Sequence, residues 1–415
     1  MPDLSISILS FALLLIQLPA TAIILSRLIL GPFRKPPLEP KKPAPDFLGA
    51  DLLALASVVL PTLNEAERIS PCLAGLTRQG SEVLEIIVVD SRSSDGTLDL
   101  VEAAARKDPR FRAIADDPLP PGWVGRPWAL DAGFKYSCDL SEWILGIDAD
   151  TQPHPGLAAS LIAEATAENC DLVSLAPQFI LKSPGEMLLM PALLMTLVYR
   201  FGPAGAPNTG AERVMANGQC FLCRRSVLEQ LDGYSSARQS FCDDVTLARN
   251  AAKLGFKVAF WDGAKLLKVR MYEGAREAWR EWGRSLDLKD AYSTARVWGD
   301  LWLLLAVQGL PLLSASILSA SILFSIFPES SLSLPPHPTP YTLHPSITLA
   351  LGLNLFLLAV RFALNFAIAP SYDRTADSAS FSWLFWLSPL ADPFAFWRIF
   401  LSATSRPKQW RGRNY

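Results

Sequence analysis

The stretch Trp143-Ile-Leu-Gly-Ile-Asp-Ala-Asp150 decides which fold the sequence predicts. Its apolar run predicts a buried strand, and the run stops at two carboxylates, Asp148 and Asp150. In an open α/β sheet, the ligand site lies at the carboxyl ends of the strands. Two neighbouring carboxylates on the same side of an extended chain repel each other unless a cation lies between them. The pair therefore predicts a divalent metal ion bound to a diphosphate, with a solvated strand end as the alternative.

The composition limits the classes of protein to which this chain can belong. Of the 415 residues, 50% are hydrophobic and 19% are charged, and the formal net charge is -2 at pH 7. A nucleic-acid-binding role is disfavoured, because no basic excess is available to hold a phosphate backbone. The only histidines are His154, His337 and His344, which argues against a histidine triad or a zinc site and leaves carboxylate chemistry. Six scattered cysteines are typical of reduced thiols in a cytosolic domain.

Two segments upstream repeat the pattern of an apolar strand that ends at polar residues. Residues 54–61 predict a strand, followed by the turn Thr62-Leu-Asn-Glu65 and a helix over residues 66–79. Residues 85–90 predict a second strand, followed by Ser91-Arg-Ser-Ser-Asp-Gly-Thr97 and a helix over residues 98–107. This alternation predicts parallel β-α-β units. The glycine-rich motifs of dinucleotide-binding folds and P-loops are both missing.

Three motifs in this order resemble the nucleotide-sugar half of a family 2 glycosyltransferase with the GT-A fold, over roughly residues 54–285. They are Val59-Leu-Pro-Thr-Leu-Asn-Glu65, Val88-Val-Asp90 with Ser93-Ser-Asp-Gly-Thr97, and Asp148-Ala-Asp150. The resemblance implies an α/β, Rossmann-like domain that binds a nucleoside-diphosphate sugar. It implies that the first turn and Asp90 hold a uracil-type base, and that Asp148 and Asp150 hold the diphosphate through Mg²⁺ or Mn²⁺. The implied donor residues in these motifs are Pro61, Thr62, Asn64, Glu65, Asp90, Asp148, Ala149 and Asp150. For Asn64, Asp90 and Asp95, helix capping and turn formation are the alternative roles.

The loop at residues 118–128 is similar to a P-x-G-W-x-G-K-x-W loop found in lipid-directed members of the family, notably carotenoid and hopanoid-associated glycosyltransferases. Here Arg126 stands at the position of the usual lysine. Arginine keeps the positive charge but presents it as a fixed planar fork. The resemblance implies that Arg126 acts at the donor phosphate or at the base of the pocket, and an ordinary Pro/Gly loop is the alternative.

A second pair of acids lies in Ser240-Phe-Cys-Asp-Asp-Val-Thr-Leu-Ala-Arg249. An inverting transferase needs a base that takes the proton of the acceptor hydroxyl. The family pattern is Glu-Asp with the second acid as base, so the resemblance implies that Asp244 is the base and that Asp243 is its catalytic neighbour. A charged helix N-terminus is the alternative.

The stretch Arg276-Glu-Ala-Trp-Arg-Glu-Trp-Gly-Arg284 predicts an interfacial helix, with arginines four residues apart on one face. The Q-x-x-R-W motif of processive synthases is absent, which favours transfer of a single sugar. We expect one of Arg276, Arg280 and Arg284, or else Arg270, to reach the diphosphate, with pairing to neighbouring acids as the alternative. The apolar segment 187–199 is predicted to be a core helix or the wall of an apolar acceptor groove.

Three apolar segments predict membrane spans, over residues 4–30, 301–327 and 346–369. Basic residues that follow the first span place the rest of the chain in the cytoplasm by the positive-inside rule. Residues 383–403 are predicted to form a re-entrant or interfacial hairpin, because a full span would place the basic tail outside. The predicted domains are an anchor (1–32), a Pro/Lys-rich linker (33–53), the GT-A domain (54–270), interfacial helices (271–300) and a C-terminal membrane region (301–415).

The sequence thus predicts a membrane enzyme that moves one sugar, with inversion, to a hydroxyl of a hydrophobic acceptor. From the resemblance, a carotenoid is the first choice, and hopanoid, sphingoid and polyprenyl-phosphate acceptors remain open. Two other classes are a nucleotidyltransferase and a non-catalytic membrane scaffold. The first would usually carry a glycine-rich loop after its first strand, which is missing at Pro61-Thr-Leu-Asn-Glu65. The second has no need for the acids at Asp90, Asp148, Asp150 and Asp244.

Overall fold

The computed structural model describes residues 2–43, 55–207, 210–285, 288, 291–326, 344–374, 379–404, 409–410 and 413–414. The strands are β1 Ala56–Thr62, β2 Val83–Asp90, β3 Phe111–Ala115, β4 Trp143–Ile147, β5 Thr151–Pro153, β6 Leu172–Ala176, β7 Gln178–Ile180, β8 Cys220–Arg224, β9 Val258–Asp262, β10 Leu267–Val269, β11 Tyr372–Asp373, β12 Gln409–Trp410 and β13 Arg413–Asn414. The α-helices are α1 Pro2–Leu28, α2 Ser70–Thr77, α3 Thr97–Ala105, α4 Gly125–Tyr136, α5 Leu157–Ala167, α6 Pro184–Phe201, α7 Arg225–Gln230, α8 Asp243–Lys253, α9 Ala275–Ser285, α10 Thr294–Leu304, α11 Pro311–Ile326, α12 Pro345–Ile368 and α13 Asp392–Thr404. Short 3-10 helices occupy Gly31–Phe33, Ala211–Arg213, Ser235–Ala237, Ala369–Ser371 and Ala379–Ala391, and a π-helical turn covers Leu305–Gly309.

A seven-stranded sheet, in the order β3-β2-β1-β4-β8-β6-β9, forms the centre of the α/β domain. Strand β1 is parallel to both β2 and β4, while β8 is antiparallel to β4 and to β6. The β4 segment 143–147 is buried at every position, as expected of a strand covered on both faces. The α/β fold with parallel β-α-β units is confirmed, and Asp148 and Asp150 follow the carboxyl end of a central strand.

The first helix of the domain is shorter than predicted. The expected helix over residues 66–79 begins only at Ser70, with Pro71 in its first turn. The residues before it are held in a turn, because the backbone N–H of Glu65 donates to Thr97 Oγ1 and that of Ala66 donates to Asp95 Oδ2. Asp95 lies in the loop after β2 and Thr97 is the first residue of α3, so a tertiary contact overrides the local preference for helix.

Two helices are long and apolar enough to cross a membrane, over Ile6–Phe33 and Pro345–Ser371. A further candidate is the pair Thr294–Gly309 and Pro311–Phe324, whose axes are bent by 45°. The π-helical turn and Pro311 lie at the bend, and both are recognised causes of kinks. The segment 383–403, predicted as a hairpin, is a 3-10 helix followed by α13, and its relation to a bilayer stays a prediction. Arg406, Lys408 and Arg411 of the basic tail lie outside the described residues.

A buried polar network joins the membrane-region helices. Arg361 on α12 is 1% exposed, and its Nε donates to Asp392 Oδ2 at 2.8 Å. Gln308 donates to the other oxygen of Asp392 at 3.3 Å, and its Nε2 also donates to the carbonyl of Ala192 in α6 at 2.7 Å. Arg361 also contacts the side chain of Asn365. The network therefore ties α12, the π-helical turn and α13 to α6.

Helix α6 is a core helix, and whether it forms part of an acceptor groove stays a prediction. Ser183 and Glu186 form a capping box at its start, and Met187, Met190 and Leu193 are buried in the core. Other side chains of the same helix line the large cavity described below. The segment is thus a core helix with one face on the cavity.

Candidate active site

A cavity of about 700 Å³ opens where β1 and β4 end and where α8 begins. Most of the site residues predicted from the sequence line this cavity, although they are far apart along the chain. Those that line it are Pro61, Thr62, Glu65, Arg126, Asp148, Ala149, Asp150, Asp243, Asp244 and Arg280. Asn64 and Asp90 are not among the lining residues, and the side chain of Arg284 lies outside the described residues.

Asp90 and Asn64 stabilise the loops beside this cavity through hydrogen bonds. Asp90 accepts hydrogen bonds from Thr62 Oγ1 at 3.2 Å and from the backbone N–H of Ser93 at 3.0 Å. Asn64 has a positive φ of 54°, and its side-chain oxygen accepts from the backbone N–H of Ser94 at 2.9 Å. These contacts fix the two strand ends against each other. They match the capping and turn roles that the sequence analysis kept as alternatives, and base recognition by Asp90 stays a prediction.

Asp95 has a local structural role of the same kind. Its Oδ1 accepts from the backbone N–H of Thr97 at 3.0 Å and from the Thr97 hydroxyl at 2.6 Å, while Oδ2 accepts from Ala66. It therefore holds the turn that leads into α3 and the turn before α2.

Arg126 connects the two pairs of acids. It is the second residue of α4, and its Nε and Nη2 donate to Asp148 Oδ1 at 3.0 and 2.9 Å. Its Nη1 contacts Asp243 Oδ2, and Nη2 also donates to the carbonyl of Gly218 at 2.7 Å. Burial alone would lower the pKa of Arg126, but Asp148 and Asp243 raise it. The guanidinium therefore stays charged between the two carboxylates.

Gly218 lies directly against this guanidinium. A Cβ at residue 218 would come within 2.4 Å of Nη2 and 2.8 Å of Cζ of Arg126. Because three sets of hydrogen bonds hold the guanidinium in place, it cannot move aside without losing some of them. The absence of a side chain at residue 218 is thus what allows the Arg126 bridge to form.

Asp243 and Asp244 open helix α8 but differ in their surroundings. Asp243 is 3% exposed and paired with Arg126, whereas Asp244 is less buried and also lines the cavity. Burial raises the pKa of Asp243 to about 7 against the opposing effect of Arg126, and it also raises the pKa of Asp244. A carboxylate with a raised pKa that faces a cavity is suited to accept a proton near neutral pH.

The lining of the cavity also includes many apolar and aromatic side chains. They come from β7, α6, the loop before β8, β9 and the segment around α9. They include Phe179, Leu194, Leu197, Met215, Phe260, Met271, Tyr272 and Trp282. A single space therefore offers both carboxylates and apolar surface, which suits two ligands of different polarity.

The arginines expected at the diphosphate take different positions. Nη2 of Arg270 donates to Glu186 Oε1 at 3.0 Å, so it braces the start of α6 and does not line the cavity. Arg280 lines the cavity and its Nε donates to Glu281 Oε1 at 2.7 Å. An ion pair that the sequence did not reveal, Arg68 with Glu277 at 3.0 Å, joins the turn before α2 to α9. The two residues are 209 positions apart, and no local motif marks them.

The acids at β4 fit a metal ion that arrives together with a phosphate ligand. Within the described ranges, no group of three or more His, Cys, Asp or Glu side chains is arranged to hold a metal. Asp148 and Asp150 supply two carboxylates to the cavity. Mg²⁺ is commonly bound by one or two carboxylates and completes its shell with substrate phosphates and water, so this donor set suits it.

Comparison with known proteins identifies the domain that holds these residues. The family model for glycosyl transferase family 2 matches residues 57–232. The chain is 25% identical over 219 residues to 4,4'-diaponeurosporenoate glycosyltransferase from Staphylococcus haemolyticus, a match that covers 52% of this chain and 56% of the relative. It is 25% identical over 235 residues to the probable glycosyltransferase YdaM from Bacillus subtilis, covering 56% of this chain and 53% of the relative. The matched region thus spans about half the length of these relatives.

Among solved structures, the mannosyltransferase PcManGT from Pyrobaculum calidifontis, in complex with GDP-Man and Mn²⁺, aligns with 96% of this chain and 97% of its own. The TM-score is 0.48 and the sequence identity is 19%. The family match begins within β1 and ends shortly after α7, so it includes the loop with Asp90, the Arg126 loop and the Asp-x-Asp pair. Residues 57–232 are therefore a glycosyl transferase family 2 domain.

Proposed function

We propose that this protein transfers a single sugar from a nucleoside-diphosphate sugar to a hydroxyl of a hydrophobic acceptor, with inversion at the anomeric carbon. The observation that carries this proposal is the shared cavity. Asp148 and Asp150 lie in the same space as Asp244 and as the apolar side chains of α6. A polar donor and an apolar acceptor can thus meet beside a proton-accepting carboxylate.

The donor is proposed to bind at the carboxylates of the cavity. Its base and sugar would lie between Pro61, Thr62 and Glu65 of the lining and the adjacent loops with Asn64 and Asp90, and Asp90 would recognise the base. Asp148 and Asp150, with Ala149 between them, would hold the diphosphate through Mg²⁺ or Mn²⁺, which would neutralise charge on the leaving group. Arg126, Arg280 and Arg284 are proposed as the cationic contacts to the same phosphates.

Asp244 is the proposed catalytic base. It accepts the proton of the acceptor hydroxyl while the oxygen forms a bond to the anomeric carbon, and the bond from that carbon to the diphosphate oxygen breaks. Attack from the face opposite the leaving group inverts the anomeric centre. Asp243 is proposed to hold Arg126 in position next to the base. The contact between Arg126 Nη1 and Asp243 Oδ2 supports this role.

A carotenoid is the first-choice acceptor, and the name of the Staphylococcus haemolyticus relative supports this choice. The apolar part of the lining suits an extended polyene, although hopanoid, sphingoid and polyprenyl-phosphate acceptors offer apolar chains as well. Two helices that could span a membrane would keep the cavity near such lipids. The catalytic domain is proposed to face the cytoplasm, where nucleotide sugars are made.

The test is a pigment and lipid profile, by chromatography and mass spectrometry, of the source cell with and without the gene. We expect a glycosylated carotenoid to vanish and its free hydroxylated precursor to accumulate. Wild-type protein and the exposed-surface variant Asp139→Asn should restore the product, whereas Asp244→Asn should not. If a hopanoid glycoside or another glycolipid were missing instead, that lipid would be the acceptor and the carotenoid would be ruled out. No change in any glycosylated species would count against transfer to a lipophilic acceptor and favour a scaffold.

A further inference from the structure

Arg68 is held in a fixed turn at the edge of the cavity. The backbone N–H groups of Arg68 and Ile69 both donate to the carbonyl of Glu65 at 2.9 Å. The N–H of Glu65 itself donates to Thr97 Oγ1 at 2.8 Å, so the start of α3 braces this turn. Arg68 and Glu65 both line the cavity. The turn at residues 65–69 therefore presents the Arg68 guanidinium beside the proposed donor site.

Glu277, in the first turn of α9, receives this guanidinium. Nη2 of Arg68 donates to Glu277 Oε1 at 3.0 Å, and Glu277 Oε2 accepts from the backbone N–H of Glu273 at 2.6 Å. The two side chains of the pair are 24% and 21% exposed, so water and salt screen it less than an ion pair on the open surface. Burial alone would raise the pKa of Glu277, but the Glu273 N–H and Arg68 lower it. Glu277 therefore stays ionised, with both carboxylate oxygens engaged.

The face of α9 that carries Glu277 also carries Arg280. Residues three and four positions apart are neighbours on a helix, and Glu277, Arg280 and Glu281 all line the cavity. The ion pair of Arg280 is with Glu281 of the same helix, and the Arg280 side chain is 73% exposed. The Arg280 guanidinium therefore moves with α9, and the position of this helix decides where it lies in the cavity.

Two other contacts join α9 to different elements. The backbone N–H of Gly274, just before α9, donates to Glu186 Oε1 at 2.6 Å, and Nε of Arg398 donates to the carbonyl of Trp279 at 2.6 Å. These contacts tie α9 to α6 and to α13. The Arg68–Glu277 pair ties it instead to the turn before α2. This pair thus links two groups of residues that the proposed function assigns to the donor, one on the turn and one on α9.

We propose that Arg68 is a positioning residue for the donor phosphates: through Glu277 it sets the distance between the turn at residues 65–69 and α9, and so places the guanidinium of Arg280 at the diphosphate. The inference rests on the proposed function, in which Arg280 contacts these phosphates. Arg68 keeps its ion pair with Glu277 while the donor binds and does not itself contact the nucleotide.

The experiment measures nucleotide binding by calorimetry, with the full-length protein in neutral lipid nanodiscs. Wild-type protein is titrated with UDP and with GDP, each in the presence of Mn²⁺, and the ligand that binds more tightly is kept for the variants. We expect Arg68→Met to raise the Kd by about fivefold, the size of effect that a partly exposed ion pair can have. Arg68→Lys keeps a charge within reach of Glu277 and should retain most of the affinity.

A double-mutant cycle tests whether Arg68 acts through Glu277. Glu277→Gln should raise the Kd by a similar factor. The double variant Arg68→Met with Glu277→Gln should bind no more weakly than Arg68→Met alone, since both changes remove the same contact. Effects that multiply in the double variant would show that Arg68 contacts the nucleotide itself, and they would overturn the inference.

A second cycle tests whether the pair acts through Arg280. With Arg280→Met already in place, Arg68→Met should cause no further rise in the Kd. A further rise of the same size would mean that loss of Arg68 disturbs the cavity in general, and it would also overturn the inference. Lys268→Met is the matched control, because it breaks an ion pair of 2.6 Å with Asp373 outside the cavity lining and should leave the Kd unchanged in either background.

The outcomes separate this inference from the proposed function. An unchanged Kd in Arg68→Met, with clear binding of the nucleotide to the wild-type protein, would overturn the inference alone. If neither UDP nor GDP bound to the wild-type protein, the result would count against the proposed function itself, and the inference would fail with it.

Discussion

Nε of Arg126 lies 3.0 Å from Oδ1 of Asp148, so a guanidinium engages the first acid of the Asp-x-Asp pair. The same guanidinium contacts Asp243 at the start of α8. The donor acids and the helix that carries the proposed base are therefore linked through one side chain. A ligand that binds at Asp148 must either share Arg126 or displace it.

Replacement of Arg126 should show how much this link contributes. Arg126→Lys keeps one charge but cannot bond Asp148 through two nitrogens and also reach Asp243, so we expect a partial loss of kcat/KM. Arg126→Met removes the charge, and we expect a loss of about a hundredfold, similar to the removal of one preorganised donor. Steady-state kinetics with varied donor would measure both. Wild-type activity of the lysine variant would contradict a role for the planar fork, and equal activity of the lysine and methionine variants would contradict a role for the charge alone.

Removal of the proposed base should abolish transfer without abolishing donor binding. Asp244→Asn keeps the size of the side chain but cannot accept the proton, and we expect a fall in kcat of about 10²- to 10⁴-fold. Donor affinity, measured by calorimetry with the nucleoside diphosphate and Mn²⁺, should change little. Asp139→Asn serves as the matched control. Near-normal transfer by Asp244→Asn would show that another group is the base.

The rate should rise with pH in a range set by the acids of α8. Burial raises the pKa of Asp243 to about 7 and raises the pKa of Asp244 as well. A base acts only when deprotonated, so kcat/KM should fall as the pH drops through the pKa of Asp244, which lies above the ordinary aspartate pKa of about 4. A pH–rate profile between pH 5 and 9 would test this. A profile that stays flat down to pH 5 would exclude a base with a raised pKa.

Donor binding should depend on a divalent metal and on Asp150. We expect Asp150→Asn, or treatment with a chelator, to weaken nucleoside-diphosphate binding by about tenfold to a hundredfold, as for the loss of a metal-supporting group. Calorimetry without acceptor provides a readout that does not require catalysis. Equal affinity for the nucleoside diphosphate with and without Mn²⁺ would show that donor binding does not require a divalent metal.

The buried ion pair of Arg361 and Asp392 should matter for stability in an asymmetric way. Removal of one partner, as in Arg361→Met, leaves a buried charge and should cost about 3 to 5 kcal/mol in the free energy of unfolding. The double variant Arg361→Met with Asp392→Leu should recover most of this loss, since an apolar pair needs no desolvation. Because five of the six cysteines are buried, thermal unfolding can be followed by thiol labelling. A double variant no more stable than the single one would show that Gln308 and its neighbours need the charges.

Much of the fold could be predicted from the sequence, because the signals are local. The apolar run 143–147 and the acids behind it specify a buried strand with a site at its end, and the structure has both. The contacts of the turn at residues 62–65 could not be predicted in this way. Asn64 and Asp95 fulfil structural roles through contacts with residues about thirty positions away, and a single polar residue in a turn does not reveal its partner.

The candidate site was predictable in its acids and in two of its cations, Arg126 and Arg280, but not in its long-range ion pairs. Asp148 and Asp244 each belong to a motif, whereas the Arg68–Glu277 pair and the Arg270–Glu186 pair join distant segments and belong to none. Such pairs form only when the fold brings the two segments together, so a local motif cannot predict them.

The close contact between Gly218 and Arg126 restricts which substitutions this sequence can accept at the two positions. Because a Cβ at residue 218 would touch Nη2 and Cζ of Arg126, an alanine there is tolerated only if the guanidinium is lost or moved. A chain with lysine at position 126 would not meet this obstacle. Substitutions at 126 and 218 should therefore show epistasis: Gly218→Ala should harm the present protein more than it harms the Arg126→Lys variant, and the order in which the two changes occur should decide whether a lineage passes through an impaired intermediate.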